Sequence, residues 1–150
     1  MSHKTNVLDF SQFLWDDFAH KGVGSFSGDF VQALEEIHLL SKTKDLELLV
    51  EISKAGSAKW ALYQNFEVGP ISDDYALSVS GYDPASTAGD ALSQHNGMKW
   101  SSPDRDNDAM ADLDCAKELR TSFWFNSCYS ANPLGEFGGS GDKAIVWETA

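Results

Sequence analysis

Between Leu46 and Val79 apolar residues recur at every second position. Leu46, Leu48, Val50 and Ile52 make one such row, Trp60, Leu62, Phe66 and Val68 a looser one, and Tyr75, Leu77 and Val79 a third. A period of two belongs to a strand with one buried face. Ala55-Gly56-Ser57 supplies a turn between the first two rows, and Gly69-Pro70 breaks the second before the third. Upstream the period lengthens. Phe30, Ala33, Leu34, Ile37 and Leu40 recur at helical spacing, which predicts a helix over residues 29–43. Ser11 is placed as the N-cap of an earlier helix carrying Phe13, Leu14 and Phe18, closed by the glycine-containing loop 20–27. Three consecutive strands with tight turns imply a twisted antiparallel sheet, with the two helices covering one face.

From Gly81 onward the periodicity disappears, and glycine, serine, aspartate and asparagine dominate. So long an irregular stretch inside a compact domain needs something other than strand pairing to order it. There are no internal repeats, and the irregular half has no core of its own. The expectation is therefore a single α+β domain over residues 1–150, with helices and sheet over about 7–80 and an irregular part over about 81–150.

The remaining composition narrows the function. Hydrophobic residues make up 42% of the chain, five of them tryptophan, which is the content of a folded globule. The net charge of −12 argues against nucleic acid, whose phosphates need a basic surface, and mildly favours cations. No run of 18 apolar residues exists to insert in a membrane. Patterns of the GxSxG, HExxH and P-loop kinds are absent, and no carboxylate pairs with a nucleophile in the sequence, so an enzyme is not expected. Two cysteines are too few for a disulfide scaffold or a zinc site; a single bridge and free thiols both stay open. The oligomeric state is not legible.

The segment from Asp104 to Cys128 carries the chemistry. Asp104, Asp106 and Asp108 alternate just ahead of Cys115 and Cys128. Alternating carboxylates in a loop suit a hard divalent cation, calcium before zinc or copper. An EF-hand is excluded: Ala109 stands where that motif needs glycine, and Cys115 occupies the twelfth loop position. The plain alternative is a solvated acidic turn.

DRDND, a cysteine shortly after, twelve residues between Cys115 and Cys128 that end in Phe123-Trp124-Phe125-Asn126-Ser127, and then SANxxG together resemble the fibrinogen-like C-terminal globular domain of fibrinogens, tenascins, ficolins and angiopoietins. The likeness runs in order through GDFVQALEEIHLLSK, LELLVEI, NFEVGPISDDYALSVSGYDPASTAGDALSQHNGMKWS and AIVWET, over about residues 7–149. It implies bound Ca2+, held by the side chains of Asp106 and Asp108 and the backbone carbonyls of Met110 and Asp112, with Asp104 supporting the loop. It implies a Cys115–Cys128 disulfide and a secreted, extracellular setting. It further implies a recognition surface at Ser127, Cys128, Tyr129 and Asn132, offered to a glycan (an acetylated sugar) or to an extracellular protein receptor. The Ser127–Cys128 peptide stands where relatives often have a cis bond.

The departures bear on these expectations. Tyr129 replaces the histidine of acetyl-binding relatives, and Gly138-Gly139-Ser140-Gly141-Asp142-Lys143 replaces a long tyrosine-bearing loop. Leu119, Ser127 and Tyr129 stand where a fibrin-type pocket carries polar or charged groups. The family's usual first and last strands are missing, and MSHKTN reads as a recombinant start or a chain whose targeting segment has been removed. The expectation is a trimmed, partly redesigned domain, with a divergent natural short form as the other reading. Two further functional readings follow: an engineered minimal scaffold without a native ligand, and an angiopoietin-type receptor-binding fragment. His38 and His95 are expected to be structural.

Overall fold

The computed structural model describes residues 8–148. Its centre is a three-stranded antiparallel sheet of β3 (Leu46–Lys54), β4 (Ser57–Val68) and β5 (Leu77–Tyr82), in that order. The three alternating rows of the sequence form these strands. Two small antiparallel ribbons flank the sheet: β1 (Val23–Gly24) with β2 (Phe30–Val31), and β6 (Ala131–Asn132) with β7 (Val146–Trp147). The helices are α1 (Leu34–Thr43) and the short α2 (Cys115–Leu119).

The buried row of β4 differs from the expected one. Leu46 pairs with Phe66 but Leu48 pairs with Tyr63, so β4 advances three residues where β3 advances two. This bulge reverses the facing of β4. Ala61 and Tyr63 are fully buried ahead of it and Val68 beyond it, while Trp60 and Leu62 are half-buried. Gly81, at φ +70°, lies opposite, and a Cβ there would come within 3.0 Å of the Gln64 Cβ.

Both helix predictions need correction at their starts. α1 begins at Leu34 and not at residue 29, because Phe30–Val31 pairs with Val23–Gly24. The inward face of α1 is Leu34, His38 and Ser41, while Leu40 is half exposed. His38 Nδ1 lies 2.7 Å from the Val68 carbonyl, and the Ser41 hydroxyl accepts the Val68 N–H, so polar groups of α1 bind the end of β4. The first predicted helix is instead a 3-10 turn (Phe10–Gln12) capped by Asp9, an extended Phe13, and a wide π-type turn (Asp17–Lys21). Ser11 donates its N–H to Asp9 and caps nothing.

The core runs from the sheet into the irregular half, where aromatic rings take over. Trp100 meets Trp124 edge to face at 4.9 Å, and Phe123 packs on His95, Trp100 and Trp124. Such arrangements add about 0.5–1.5 kcal/mol per pair beyond area burial. The irregular half is ordered by this cluster together with the Cys115–Cys128 disulfide, whose Cα atoms are 5.7 Å apart.

Candidate metal and recognition site

The acidic loop is pinned from below by its own alternate residues. Asn107 points inward, donating its side-chain amide to the Trp100 carbonyl, while the Ser101 hydroxyl accepts its N–H. Asp104 Oδ1 accepts the Trp15 N–H at 2.9 Å and the Ser102 hydroxyl at 2.7 Å. The Arg105 guanidinium lies 4.1 Å over the Trp15 ring and pairs with Asp74. With these residues directed at the protein body, Asp106 and Asp108 are left to converge.

They converge with a third carboxylate that the sequence reading missed. Oxygens of Asp106, Asp108 and Asp114 lie within 4.8 Å of one another. That is the span of oxygens around a single ion at about 2.4 Å. Asp114 is brought there as the N-cap of α2, accepting the Lys117 N–H, and its other oxygen lies 3.3 Å from the Lys117 ammonium. The only available sequence signal was Asp114 standing one residue before a short helical run.

Asp108 is the most constrained of the three. Its Oδ1 accepts the Met110 N–H and its Oδ2 the Cys115 N–H, both at 2.8 Å. A carboxylate has about four acceptor sites, so each oxygen keeps one for a cation. Burial pushes the Asp108 carboxyl above its ordinary value; the Cys115 and Met110 N–H groups oppose this, and the neighbouring Asp106 adds to it. Among the described residues neither Asp106 nor Asp108 forms an ion pair. Gathered oxygens, with a protein cation only on the Asp114 side through Lys117, are a donor set that fits a hard divalent ion. Asp112, assigned through its carbonyl, is exposed, and Met110 is half-buried.

The second half of the site lies across the disulfide. The Ala109 N–H donates to the Asn126 carbonyl and the Asn126 N–H to the Cys128 carbonyl, so the loop and the recognition segment share one hydrogen-bond chain. The Ser127–Cys128 peptide is cis. Ser127 is exposed, Cys128 and Tyr129 are half-buried, and the Tyr129 hydroxyl lies 3.5 Å from Asp142. Asn132 does not reach this surface. It is fully buried on β6, where it pairs with Val146 of β7, and its side chain donates to the Ala144 carbonyl. It is therefore a framework residue and not a surface contact.

His95 ties the segment down from beneath. Its Nε2 accepts the N–H groups of Ser130 and Ala131, both at 3.1 Å, so the proton sits on Nδ1, which donates to the Trp124 carbonyl at 2.7 Å. The depression above it, lined by Gln94, His95, Asn126, Ser127, Tyr129 and Ser130, holds about 50 Å³. A larger cavity of about 330 Å³ lies elsewhere, between Phe10, Leu119, Arg120, Leu134 and Lys143.

Comparison with known proteins agrees with this architecture. The model of the family described as fibrinogen beta and gamma chains, C-terminal globular domain, matches residues 3–150. The chain belongs to that family, whose members are recognition modules and not enzymes. It is 35% identical to tenascin of Gallus gallus over 134 residues, covering 89% of this chain and 7% of that protein. It is 33% identical to fibrinogen-like protein 1 of Bos taurus over 155 residues, covering 90% of this chain and 48% of that protein. The chain thus spans less than half the length of these relatives. Among solved structures, the fibrinogen-like globe domain of human ANGPTL6 superposes with a TM-score of 0.81 at 31% identity, covering 91% of this chain and 59% of that one. Lamprey fibrin D-dimer, complexed with the peptide Gly-His-Arg-Pro-amide, superposes with a TM-score of 0.86 at 27% identity, covering 99% and 54%.

Proposed function

We propose that this chain is a calcium-stabilised extracellular recognition module whose partner is a protein surface contacting Ser127 and Tyr129. The observation that carries the reading is the convergence of Asp106, Asp108 and Asp114 within 4.8 Å, with no ion pair on the first two among the described residues. The carbonyls of Met110 and Asp112 would complete the shell, with Asp104 supporting the loop from outside it. Calcium, when bound, supplies the positive charge that lets the three carboxylates stay together ionised. The chain's own residues do the positioning: Asn107 and Asp104 hold the loop down, and the Cys115 N–H orients Asp108. The formed disulfide supports an oxidising, secreted setting.

A protein partner fits the recognition surface better than an acetylated sugar. Ligand pockets usually enclose about 300 Å³ or more. The depression beside Tyr129 has about 50 Å³, and the loop that would deepen it is the short glycine-serine stretch. A shallow surface suits a broad contact.

Thermal unfolding of the oxidised protein, in excess calcium and then in chelator, tests the metal. Stabilisation of roughly 3–4 kcal/mol is expected at a hundred- to thousandfold excess over the dissociation constant. Asp106→Ala with Asp108→Ala should abolish it. Asp114→Ala should weaken it, whereas Asp112→Ala, which keeps its carbonyl, should not. An unchanged midpoint overturns the metal assignment. Calcium-dependent binding to extracellular receptor domains, measured beside an acetylated-glycan array, tests the partner. Glycan binding alone would replace the protein reading, and no binding to either would leave a scaffold without a native ligand.

A further inference from the structure

Asp114 belongs to the carboxylate trio, yet both of its oxygens are held by one residue. Oδ1 accepts the Lys117 N–H at 3.1 Å, and Oδ2 lies 3.3 Å from the Lys117 ammonium. The two contacts differ in kind. The first is the cap of α2 and comes from the backbone, so it persists whatever side chain stands at 117. The second belongs to the lysine alone.

Asp106 and Asp108 have no such partner. Asp106 Oδ1 accepts the Asp108 N–H, and Asp108 accepts the N–H groups of Met110 and Cys115, all of them neutral amides. Arg105, the cation inside the acidic loop, is engaged by Asp74, which Lys99 also reaches. Among the described residues Lys117 is therefore the one cation whose ion pair reaches the trio. Its side chain is 68% exposed and that of Asp114 is 19% exposed. The acid is fixed as a helix cap, whereas the ammonium rides on a flexible four-carbon stem and can return to water without disturbing any packing.

We infer that Lys117 is a tethered counter-ion of the cation site: its ammonium neutralises Asp114 in the cation-free protein, yields to a divalent ion, and so lowers the affinity of the loop. The inference rests on the metal reading above and adds the residue that regulates that site. Carboxylates whose oxygens lie within 4.8 Å of one another repel. The ammonium relieves this at Asp114 only, whereas a divalent ion among the three relieves all of them. Ion and ammonium repel each other and compete for one carboxylate. An exposed lysine–carboxylate pair three residues apart is weak, so the ammonium gives way at a small penalty. A site weakened in this way suits an extracellular module, where calcium dissociation constants run at about 10⁻⁴–10⁻³ M.

Calcium titration calorimetry of the oxidised protein at low ionic strength tests this. Lys117→Gln removes the ammonium, keeps the capping N–H, and should tighten calcium binding about threefold. Lys117→Arg, which keeps the charge, should stay close to the parent. Lys59→Gln makes the same change of net charge on β4 and should also leave the affinity near that of the parent. In an Asp114→Asn background, which retains a capping oxygen, the gain from Lys117→Gln should disappear. Equal tightening by Lys117→Gln and Lys59→Gln overturns the proposal, because the lysine then acts only through the overall charge of an acidic protein. So does a parent that binds calcium with an affinity indifferent to Lys117→Gln, which leaves the metal reading standing. A parent that binds no calcium overturns the metal reading itself, and this proposal with it.

Discussion

The Asp104 carboxylate accepts the Trp15 amide across 89 positions of sequence, and with the Arg105 guanidinium over the Trp15 ring it joins the acidic loop to the segment just before the π-type turn. Asp104 belongs to the alternating aspartates but lies outside the convergent trio. Asp104→Ala should therefore lower stability by about 1–3 kcal/mol by leaving the Trp15 N–H and the Ser102 hydroxyl without their acceptor. It should leave calcium affinity near that of the parent. Chemical denaturation with a calcium titration separates the two effects. An Asp104 variant that loses metal affinity as fully as the Asp106 variant would make Asp104 a ligand.

His95 makes the fold acid-sensitive. Burial holds its imidazole below the ordinary value, against the opposing hydrogen bond to the Trp124 carbonyl. The unfolded chain then takes up the proton first, from about pH 6.5 downward. The native state binds fewer protons in that range, so stability present above it is lost as pH falls toward the depressed native value. Protonation of Nε2 would also confront the two amides it accepts. The unfolding midpoint should decline between neutral and mildly acidic pH more steeply in the parent than in His95→Gln. Parallel profiles would show that His95 does not titrate in this way.

Gly135 stands at a close crossing in the last part of the chain. A Cβ there would lie 2.1 Å from the Ala144 carbonyl oxygen, a distance no rotamer adjustment relieves. Gly135→Ala should push apart the strands on either side of the shortened loop and destabilise the protein by about 1–3 kcal/mol. Amide exchange should accelerate at Glu136, whose N–H donates to the Lys143 carbonyl, before it does so in β3–β5. Uniform exchange across the molecule would place the strain elsewhere.

The strands were readable because alternation is a local property of the chain: whichever neighbour it meets, a strand of period two buries one face. The two cysteines and the aromatic run between them were equally visible, and their spacing in the family pattern corresponds to the disulfide found in the fold. Asp106 and Asp108 were legible as a chemical type, acidic oxygens set two apart.

What the chain alone could not specify depends on partners distant in sequence. The helix predicted from residue 29 lost its first turn because Phe30–Val31 finds Val23–Gly24. The buried row on β4 runs through Ala61 and Tyr63 before the bulge and returns to the expected even positions at Val68 after it, because the bulge opposite β3 inserts one residue. Asp114 joined the carboxylates only through the placement of α2, and Asn132 left the recognition surface because β6, paired with β7, holds it in the interior. Local periodicity and residue chemistry were written in the sequence. Which aspartates meet, and which residues of a segment are covered, was decided by how turns and strands fold back on one another, a pairing that no local pattern records.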